Sequence, residues 1–278
     1  GLPINRCGKL VVAQTENDLS SLDELLRRGK KNGVVLQAIT EAEAKEIEPR
    51  VKTVQRAIFS PTTSSVDPVT VVNAMQEDAN AEGVVFHHGT KYLGLSNGSL
   101  LTNKGKRTSG YVVNAAGAYA DKVARDFGFS EKYRILPFKG LYIYSDETQG
   151  VIRTHIYPVP NLRNPFLGVH FTRLINGGIE AGPNAVLAFA REGYRKTNFN
   201  PRDLFDALTY SGLWRFAFKY PKMCIHELRG SFSKKYFCKQ LQKLVPELQP
   251  SDLETGGTGV RAQAMSPQGG LVQDFHFA

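Results

Sequence analysis

The sequence is poor in cysteine, and its cysteines form no pattern. Cys7, Cys224 and Cys238 lie far apart and include no Cys-x-x-Cys pair. Such an odd, scattered set argues against a disulfide framework or a zinc site and favours free thiols in a reducing compartment. The six histidines also lack metal-ligand spacing with cysteines or carboxylates. We therefore expect a cytoplasmic protein that binds no metal.

Long apolar runs and several catalytic signatures are missing as well. No run approaches the roughly 20 apolar residues of a membrane-spanning helix. The sequence contains no Walker-type phosphate loop, no Gly-x-Ser-x-Gly elbow and no His-Glu-x-x-His motif. Gly256-Gly257-Thr258-Gly259 lacks the strand before it and the helix after it that a dinucleotide fingerprint requires. We expect it to be a turn into a strand.

Acidic residues are outnumbered by basic ones. The chain has 35 Lys and Arg against 26 Asp and Glu, a net charge of +9, which raises nucleic acid as a partner. The cations fall in separate groups, however, such as those at residues 27–31, 104–107 and 234–243. We expect solvated faces and no nucleic acid. An anionic substrate or an anionic surface is the alternative.

The segment from Ile156 to Lys196 combines apolar and polar residues in the way that a small-molecule pocket requires. Its candidate polar residues are Tyr157, His170, Arg173, Asn184, Arg191 and Arg195. If the arginines converge, the ligand is an acid, because a guanidinium binds a carboxylate with two parallel hydrogen bonds. The alternative is an antiparallel sheet whose arginines point to water.

The pattern along the chain predicts an α+β fold. Asp67-Pro68 indicates a helix start, and Asn97-Gly98 indicates a hairpin over Tyr92–Thr102. Apolar runs predict strands at Val84–His88 and before Asn114-Ala115-Ala116-Gly117, the latter leading directly into a helix. Backbone N–H groups at such a helix start suit a phosphate, although tight packing gives the same small residues. Strands without intervening helices then follow from Arg134 to Gly182, and two helical stretches follow these.

Longer motifs carry a resemblance to a known family. They are VVNAAG at Val112, PFKG at Pro137, GPNAVLAFAREGYRK at Gly182 and GVRAQAMSPQGGLVQDF at Gly259. The chain resembles flavoproteins of the D-amino acid oxidase type, and among them the branch that oxidises L-2-hydroxyglutarate. The resemblance implies an antiparallel-sheet substrate domain with flanking helices, and a partial α/β, Rossmann-like FAD-binding domain. The implied domains are 1–62 (start of the substrate domain), 63–130 (FAD-binding), 131–255 (substrate-binding sheet) and 256–278 (return to the FAD domain).

The same resemblance implies roles for individual residues. Ala115, Ala116 and Gly117 would approach the ADP moiety of FAD, and Tyr92 would lie near adenine. Arg261 would hold the substrate carboxylate. Lys139 stands where close relatives usually have Arg, so a bidentate contact there is in doubt.

The pocket residues receive roles in the same way. Tyr157 and Asn184 would line the pocket, and Arg191 or Arg195 would bind a distal carboxylate. His170 could be the base that takes the hydroxyl proton, or a hydrogen-bonded strand histidine.

The implied reaction is oxidation of the CH–OH group of a 2-hydroxy dicarboxylic acid by hydride transfer to flavin N5. The sequence contains no GxGxxG segment and no C-terminal flavin-contacting segment, so we expect an internal fragment that is inactive and lacks FAD. The expected partners are a hydroxyacid and a quinone-linked acceptor or the surface of the inner membrane, with the oligomeric state open. The alternatives are an amino-acid oxidase acting on glycine, sarcosine or a D-amino acid, and a non-catalytic acid-binding module.

Overall fold

The computed structural model divides the chain into two compact units. It describes residues 1–145, 152–160, 166–195 and 197–277. The first unit comprises residues 1–72, 140–186 and 222–259, and the second comprises 73–139, 187–221 and 260–278. Residues 161–165 and 196 of the predicted pocket segment lie outside the described residues. The predicted domain boundaries at residues 62, 130 and 255 stay predictions.

Most strands of a large sheet lie in the first unit, and three of its strands also have residues in the second. Its strands, within the part of the chain that the structure describes, are β1 (Lys9–Val12), β2 (Gln37–Thr40), β3 (Arg56–Ser60), β7 (Arg134–Ser145), β8 (His155–Pro158), β9 (His170–Arg173), β10 (Ile179–Gly182), β11 (Val186–Leu187) and β12 (Glu254–Met265). They follow the order β11-β7-β10-β9-β8-β1-β3-β2, with β12 also paired to β7. Neighbouring strands with a defined register are antiparallel except β1 and β8, which run parallel.

Alternation along the strands separates an apolar face of this sheet from a mixed one, on which Val11 and Ile58 belong to a second apolar cluster and other positions are polar. In β1, Leu10 and Val12 are buried, whereas Lys9 between Gly8 and Leu10 points to the opposite side. The register pairs Leu10 with Ile156 and Ile156 with Phe171, and all three belong to one core cluster. The cluster includes Phe237, Cys238 and Leu241 of helix α8 (Lys234–Leu241), so the helix covers the apolar face.

The remaining helices and the small sheet have the following bounds. In the first unit these are α1 (Leu19–Lys31), α2 (Glu41–Ile47) and, beginning at its boundary, α7 (Pro221–Phe232), while α3 (Pro68–Ala81) continues into the second unit. The second unit contains α4 (Ala120–Asp126), α5 (Pro201–Leu208), α6 (Ser211–Lys219) and a small sheet of β4 (Tyr92–Ser96), β5 (Ser99–Thr102) and β6 (Gly105–Arg107). The predicted α+β architecture with a large sheet and flanking helices is confirmed.

Two local predictions are confirmed by their hydrogen bonds and backbone angles. Asp67 Oδ1 accepts a hydrogen bond of 3.0 Å from the Val69 backbone N–H, so Asp67 caps α3 and Pro68 is its first residue. Asn97 and Gly98 have φ angles of 50° and 72°, which suit a two-residue hairpin turn between β4 and β5.

The predicted strands at Val84–His88 and before Asn114 are wrong. Both segments are irregular, and the side chains of Tyr111 and Val113 are 93% and 88% exposed. An apolar run becomes a strand only when another strand supplies its hydrogen bonds, and no described strand pairs with either segment. The predicted helix after Gly117 is confirmed, with a 3₁₀ turn over Gly117–Tyr119 ahead of α4.

Two features are absent from the described residues. None of their helices combines the length and apolar character needed to cross a membrane. Nor do they contain a group of three or more His, Cys, Asp or Glu side chains arranged to hold a metal ion.

Candidate active site

Aromatic and ionisable side chains gather on the polar face of the large sheet in the first unit. We define this polar face by Lys9, Tyr144, His155, Tyr157, His170, Thr172 and Glu180. They occupy strand positions that alternate with core residues, since Ile156 pairs with Phe171 and Ala181 with both Phe171 and Ile143. Sequence reasoning selected only Tyr157 and His170 from this set. Strand alternation could have found the others once the register of the strands was known.

His170 lies at the centre of the face in a fixed tautomer. Its ring centroid is 4.0 Å from that of Tyr157, and its Nδ1 atom is 2.9 Å from the Gly168 carbonyl oxygen. A carbonyl oxygen only accepts hydrogen bonds, so Nδ1 carries the proton and Nε2 keeps its lone pair. Burial lowers the pKa of His170, and the charge of Lys9 lowers it further against the effect of the Gly168 bond. The imidazole is therefore neutral near pH 7 and can accept a proton at Nε2.

His155 has the opposite tautomer and has no free ring nitrogen to accept a proton. Its Nδ1 accepts a 3.0 Å hydrogen bond from the Arg173 backbone N–H, which places the proton on Nε2, 3.3 Å from Cys7 Sγ. Burial lowers the pKa of His155 to about 4, with smaller contributions from the charges of Lys9 and His170. Both ring nitrogens are engaged, so His155 holds β8 against its neighbours. Burial also raises the pKa of the Cys7 thiol, which disfavours the reactive thiolate.

Tyr157 links the other polar groups of the face. Its hydroxyl lies 3.4 Å from Thr172 Oγ1, and Lys9 Nζ lies 5.4 Å from the centre of its ring. Farther along the face, the Tyr144 hydroxyl donates a 3.0 Å hydrogen bond to Glu180 Oε1. Burial raises the pKa of Glu180. The structure thus brings Tyr157 and His170 together, as the pocket prediction requires, and adds a cation and a carboxylate beside them.

Asn184 does not have the predicted position in the pocket. Its side chain is buried, and Oδ1 accepts a 2.8 Å hydrogen bond from the Leu141 backbone N–H. Its Nδ2 group donates to the Glu227 carbonyl and to Ser231 Oγ, at 3.3 and 2.6 Å. Because both amide hydrogens are used, Asn184 joins the sheet to α7 rather than facing a ligand.

Arg191 is also corrected, since it lies inside an ion-pair network of the second unit. Its guanidinium is 2% exposed and contacts both carboxylate oxygens of Asp121, at 2.6 and 3.0 Å. It also donates to Asp206 Oδ2 at 2.9 Å and to the Ala118 carbonyl, and lies 3.7 Å from Asp203 Oδ1. A guanidinium with these partners has no pair of N–H groups left to bind a substrate carboxylate. Arg191 instead anchors the start of α4.

The other predicted cations are also in the second unit. Arg195, four residues after Arg191, is exposed in the loop that follows β11. Lys139 is buried in β7, and Arg261 is exposed in β12. Their roles toward a ligand stay predictions.

The residues predicted to contact FAD form an exposed loop and a neighbouring strand end. Asn114 shapes the loop, since its Oδ1 accepts from the Ala116 N–H and its Nδ2 donates to the Ala120 carbonyl. Gly117 has a φ of 53°, and no atom lies within 4 Å of the position that a Cβ would take. The Tyr92 hydroxyl donates a 3.0 Å hydrogen bond to Asp126 of α4. An exposed backbone beside open space fits the close approach of a nucleotide.

Comparison with known proteins agrees with this geometry. The family described as FAD dependent oxidoreductase (DAO) matches residues 1–277. The chain belongs to this family. It is 42% identical over 99% of its length to an L-2-hydroxyglutarate dehydrogenase of Indibacter alkaliphilus, and covers 70% of that protein. It is 38% identical over 99% of its length to the mitochondrial L-2-hydroxyglutarate dehydrogenase of Nematostella vectensis, and covers 65% of it.

Two solved structures show the same fold. An L-alpha-glycerophosphate oxidase from Mycoplasma pneumoniae with FAD bound has a TM-score of 0.68 at 19% identity, over 94% of this chain and 62% of that one. L-proline dehydrogenase from P. horikoshii has a TM-score of 0.64 at 22% identity, over 95% and 62%. The chain therefore spans about two thirds of the length of the relatives it matches.

Proposed function

We propose that the protein oxidises a 2-hydroxy dicarboxylic acid, L-2-hydroxyglutarate, to the 2-oxo acid with FAD as the hydride acceptor. The observation that carries this proposal is the neutral His170, whose Nε2 can take the hydroxyl proton. The names of relatives at 38% and 42% identity support the choice of substrate. FAD, when bound, accepts the hydride at flavin N5.

The protein residues would then share three tasks. His170 accepts the hydroxyl proton at Nε2 as the hydride leaves the same carbon, and its Gly168 bond keeps the ring oriented. Tyr157 packs against the imidazole and keeps water from one side of it. Binding of a substrate carboxylate is the third task, for which the resemblance of the sequence makes Arg261, Lys139 and Arg195 candidates.

The loop of Ala115, Ala116 and Gly117 would hold the ADP moiety through its backbone, and Tyr92 would lie near adenine. The sequence has no GxGxxG turn, so we predict that the 278-residue chain is colourless and inactive as purified, and that FAD must be added before its activity is measured. Visible absorption of stoichiometric flavin in that preparation would contradict this prediction.

The rival proposal is an amino-acid oxidase of the same family, acting on glycine, sarcosine or a D-amino acid. Anaerobic mixing of the FAD-loaded protein with a panel of acids separates the two. We expect L-2-hydroxyglutarate to bleach the flavin and the amino acids to leave it oxidised. Reduction by amino acids alone would favour the rival, whereas acid binding without any flavin reduction would favour a non-catalytic binding module.

A peripheral contact with a membrane, and with a quinone-linked acceptor there, is the second part of the proposal. It rests on exposed apolar side chains of α5 and α6, which we name the aromatic face: Phe205, Leu208, Trp214 and Phe218. Phe205 and Phe218 are 70% and 80% exposed, and Trp214 Nε1 donates to the Leu208 carbonyl at 2.7 Å, which joins the two helices.

The charges around the aromatic face suit an anionic bilayer. Three cations lie on these helices, namely Arg202, Arg215 and Lys219. The acidic residues of the two helices are Asp203 and Asp206, and both interact with Arg191 rather than with these three cations. Exposed aromatic residues beside cations are typical of helices that lie in a membrane interface.

Trp214 is the sole tryptophan of the chain, so its fluorescence tests this contact directly. We expect a blue shift with phosphatidylglycerol vesicles that is weak with phosphatidylcholine and lost in the double variant Phe205→Ser, Phe218→Ser. Phe232→Ser, at an 88% exposed position of α7, is the matched control. Equal emission with and without anionic vesicles would contradict the membrane contact.

A further inference from the structure

Lys9 is a half-buried cation for which the described part of the chain supplies no anionic partner. It lies in β1, where the apolar neighbours Leu10 and Val12 must face the core, so its side chain is directed to the polar face. None of the ion pairs formed among residues 1–145, 152–160, 166–195 and 197–277 includes it. Its contact there is with the ring of Tyr157, 5.4 Å from Nζ.

The position of the ammonium group relates it to the proposed base. The rings of Tyr157 and His170 pack with their centroids 4.0 Å apart, so Lys9 and His170 contact the same aromatic ring. The charge of Lys9 also lowers the pKa values of His155 and His170, and burial lowers the pKa of Lys9 itself. A cation held in this way is costly unless an anion approaches it.

Glu180 is the described carboxylate of the same face, and it has another partner. Lys9 is in β1 and Glu180 is in β10, with β8 and β9 between them in the sheet. Glu180 accepts the hydrogen bond of Tyr144. Glu180 therefore does not serve as the counter-ion of Lys9.

We propose that Lys9 binds a carboxylate of the substrate and selects dicarboxylic over monocarboxylic 2-hydroxy acids. This inference rests on the proposed function and adds to it the residue that recognises the second acid group. Lys9 would bind the carboxylate that is distal to the reacting carbon. A lysine suits this task, since an ammonium is a point charge that accepts carboxylates in several orientations.

The test compares two substrates in the FAD-loaded protein: L-2-hydroxyglutarate, and L-2-hydroxypentanoate, which lacks the distal carboxylate. In Lys9→Met we expect the kcat/KM ratio of the diacid to the monoacid to fall about tenfold or more, mainly through KM. Lys9→Arg keeps the charge and should retain most of the preference. Lys52→Met, at an exposed lysine of the same unit, should behave as the wild type.

A binding measurement separates this inference from the proposed function. Calorimetric titration with 2-oxoglutarate and 2-oxopentanoate should show that Lys9→Met weakens only the diacid, even if the protein oxidises neither hydroxy acid. If neither hydroxy acid reduces the flavin of the wild type, the proposed function is overturned, but the role of Lys9 in binding is not. Equal losses for both acids in both assays, or no loss in either, overturn the role of Lys9. Unfolding midpoints from circular dichroism show that each variant is folded.

Discussion

Replacing Arg191 with Met should strongly destabilise the second unit. We expect no direct effect on substrate binding, which other residues carry out. Arg191 is 2% exposed and is the shared partner of Asp121, Asp203 and Asp206. Removing one member of such a buried network leaves charges without compensation, which typically costs 3–5 kcal/mol. Asp121 and Asp203 are themselves 2% and 7% exposed, so water cannot replace the lost guanidinium. We therefore expect a loss of about 3 kcal/mol or more.

The lower end of this range is the better expectation, because other cations remain. Arg125 lies 3.6 Å from Asp121, and Lys122 lies 3.2 Å from Asp203. The assay is urea unfolding followed by circular dichroism, with Arg195→Met as the control at an exposed position. The control should change stability by no more than about 0.5 kcal/mol. Equal stability of the two variants would refute the anchoring role of Arg191. A raised KM in Arg191→Met without a loss of stability would instead restore the predicted carboxylate contact.

Two other predictions concern the stability of the first unit, namely its dependence on pH and its dependence on close packing. The folded pKa of His155 is about 4, below its ordinary value of 6.5, so its stabilising effect is complete above pH 6.5 and is lost as pH falls toward 4. The free energy of unfolding, measured with urea at pH 7 and at pH 5, should therefore differ by roughly 2 kcal/mol less in His155→Gln than in the wild type. Gly140→Ala should cost about 1–3 kcal/mol, since its Cβ would lie 2.5 Å from Pro183 Cβ. Gly257→Ala, where the nearest atom is 4.0 Å away, should unfold at nearly the wild-type midpoint; matching midpoints for both glycine variants would contradict the close packing.

Local signals predicted the parts of the fold that depend on neighbouring residues. Asp67-Pro68 and Asn97-Gly98 act within one turn of the chain, so their helix start and hairpin are confirmed. The strand predicted before Asn114 depended on a pairing partner elsewhere, and apolar composition alone contains no information about that partner. Local signals were sufficient for the helix start and the hairpin, whereas an apolar run formed a strand only where another strand could pair with it, as in β7 to β10.

The site shows the same division. The pocket segment contained Tyr157 and His170, and the structure brings these two rings together. Lys9 was missed because it lies about 150 residues earlier, and only the parallel pairing of β1 with β8 places it beside Tyr157. Arg191 was misassigned because its main partner, Asp121, lies 70 residues before it in the chain. Residue type predicted the chemistry available, whereas long-range register decided which groups were free to use it.

The central claim is that His170 takes the hydroxyl proton during oxidation of a 2-hydroxy acid. The measurement that tests it is the rate of anaerobic flavin bleaching by L-2-hydroxyglutarate in the FAD-loaded wild type and in His170→Gln. General base catalysis contributes about 10²–10⁴-fold, so bleaching should slow by that factor while the amount of bound FAD stays the same. Bleaching of His170→Gln at the wild-type rate would contradict the claim.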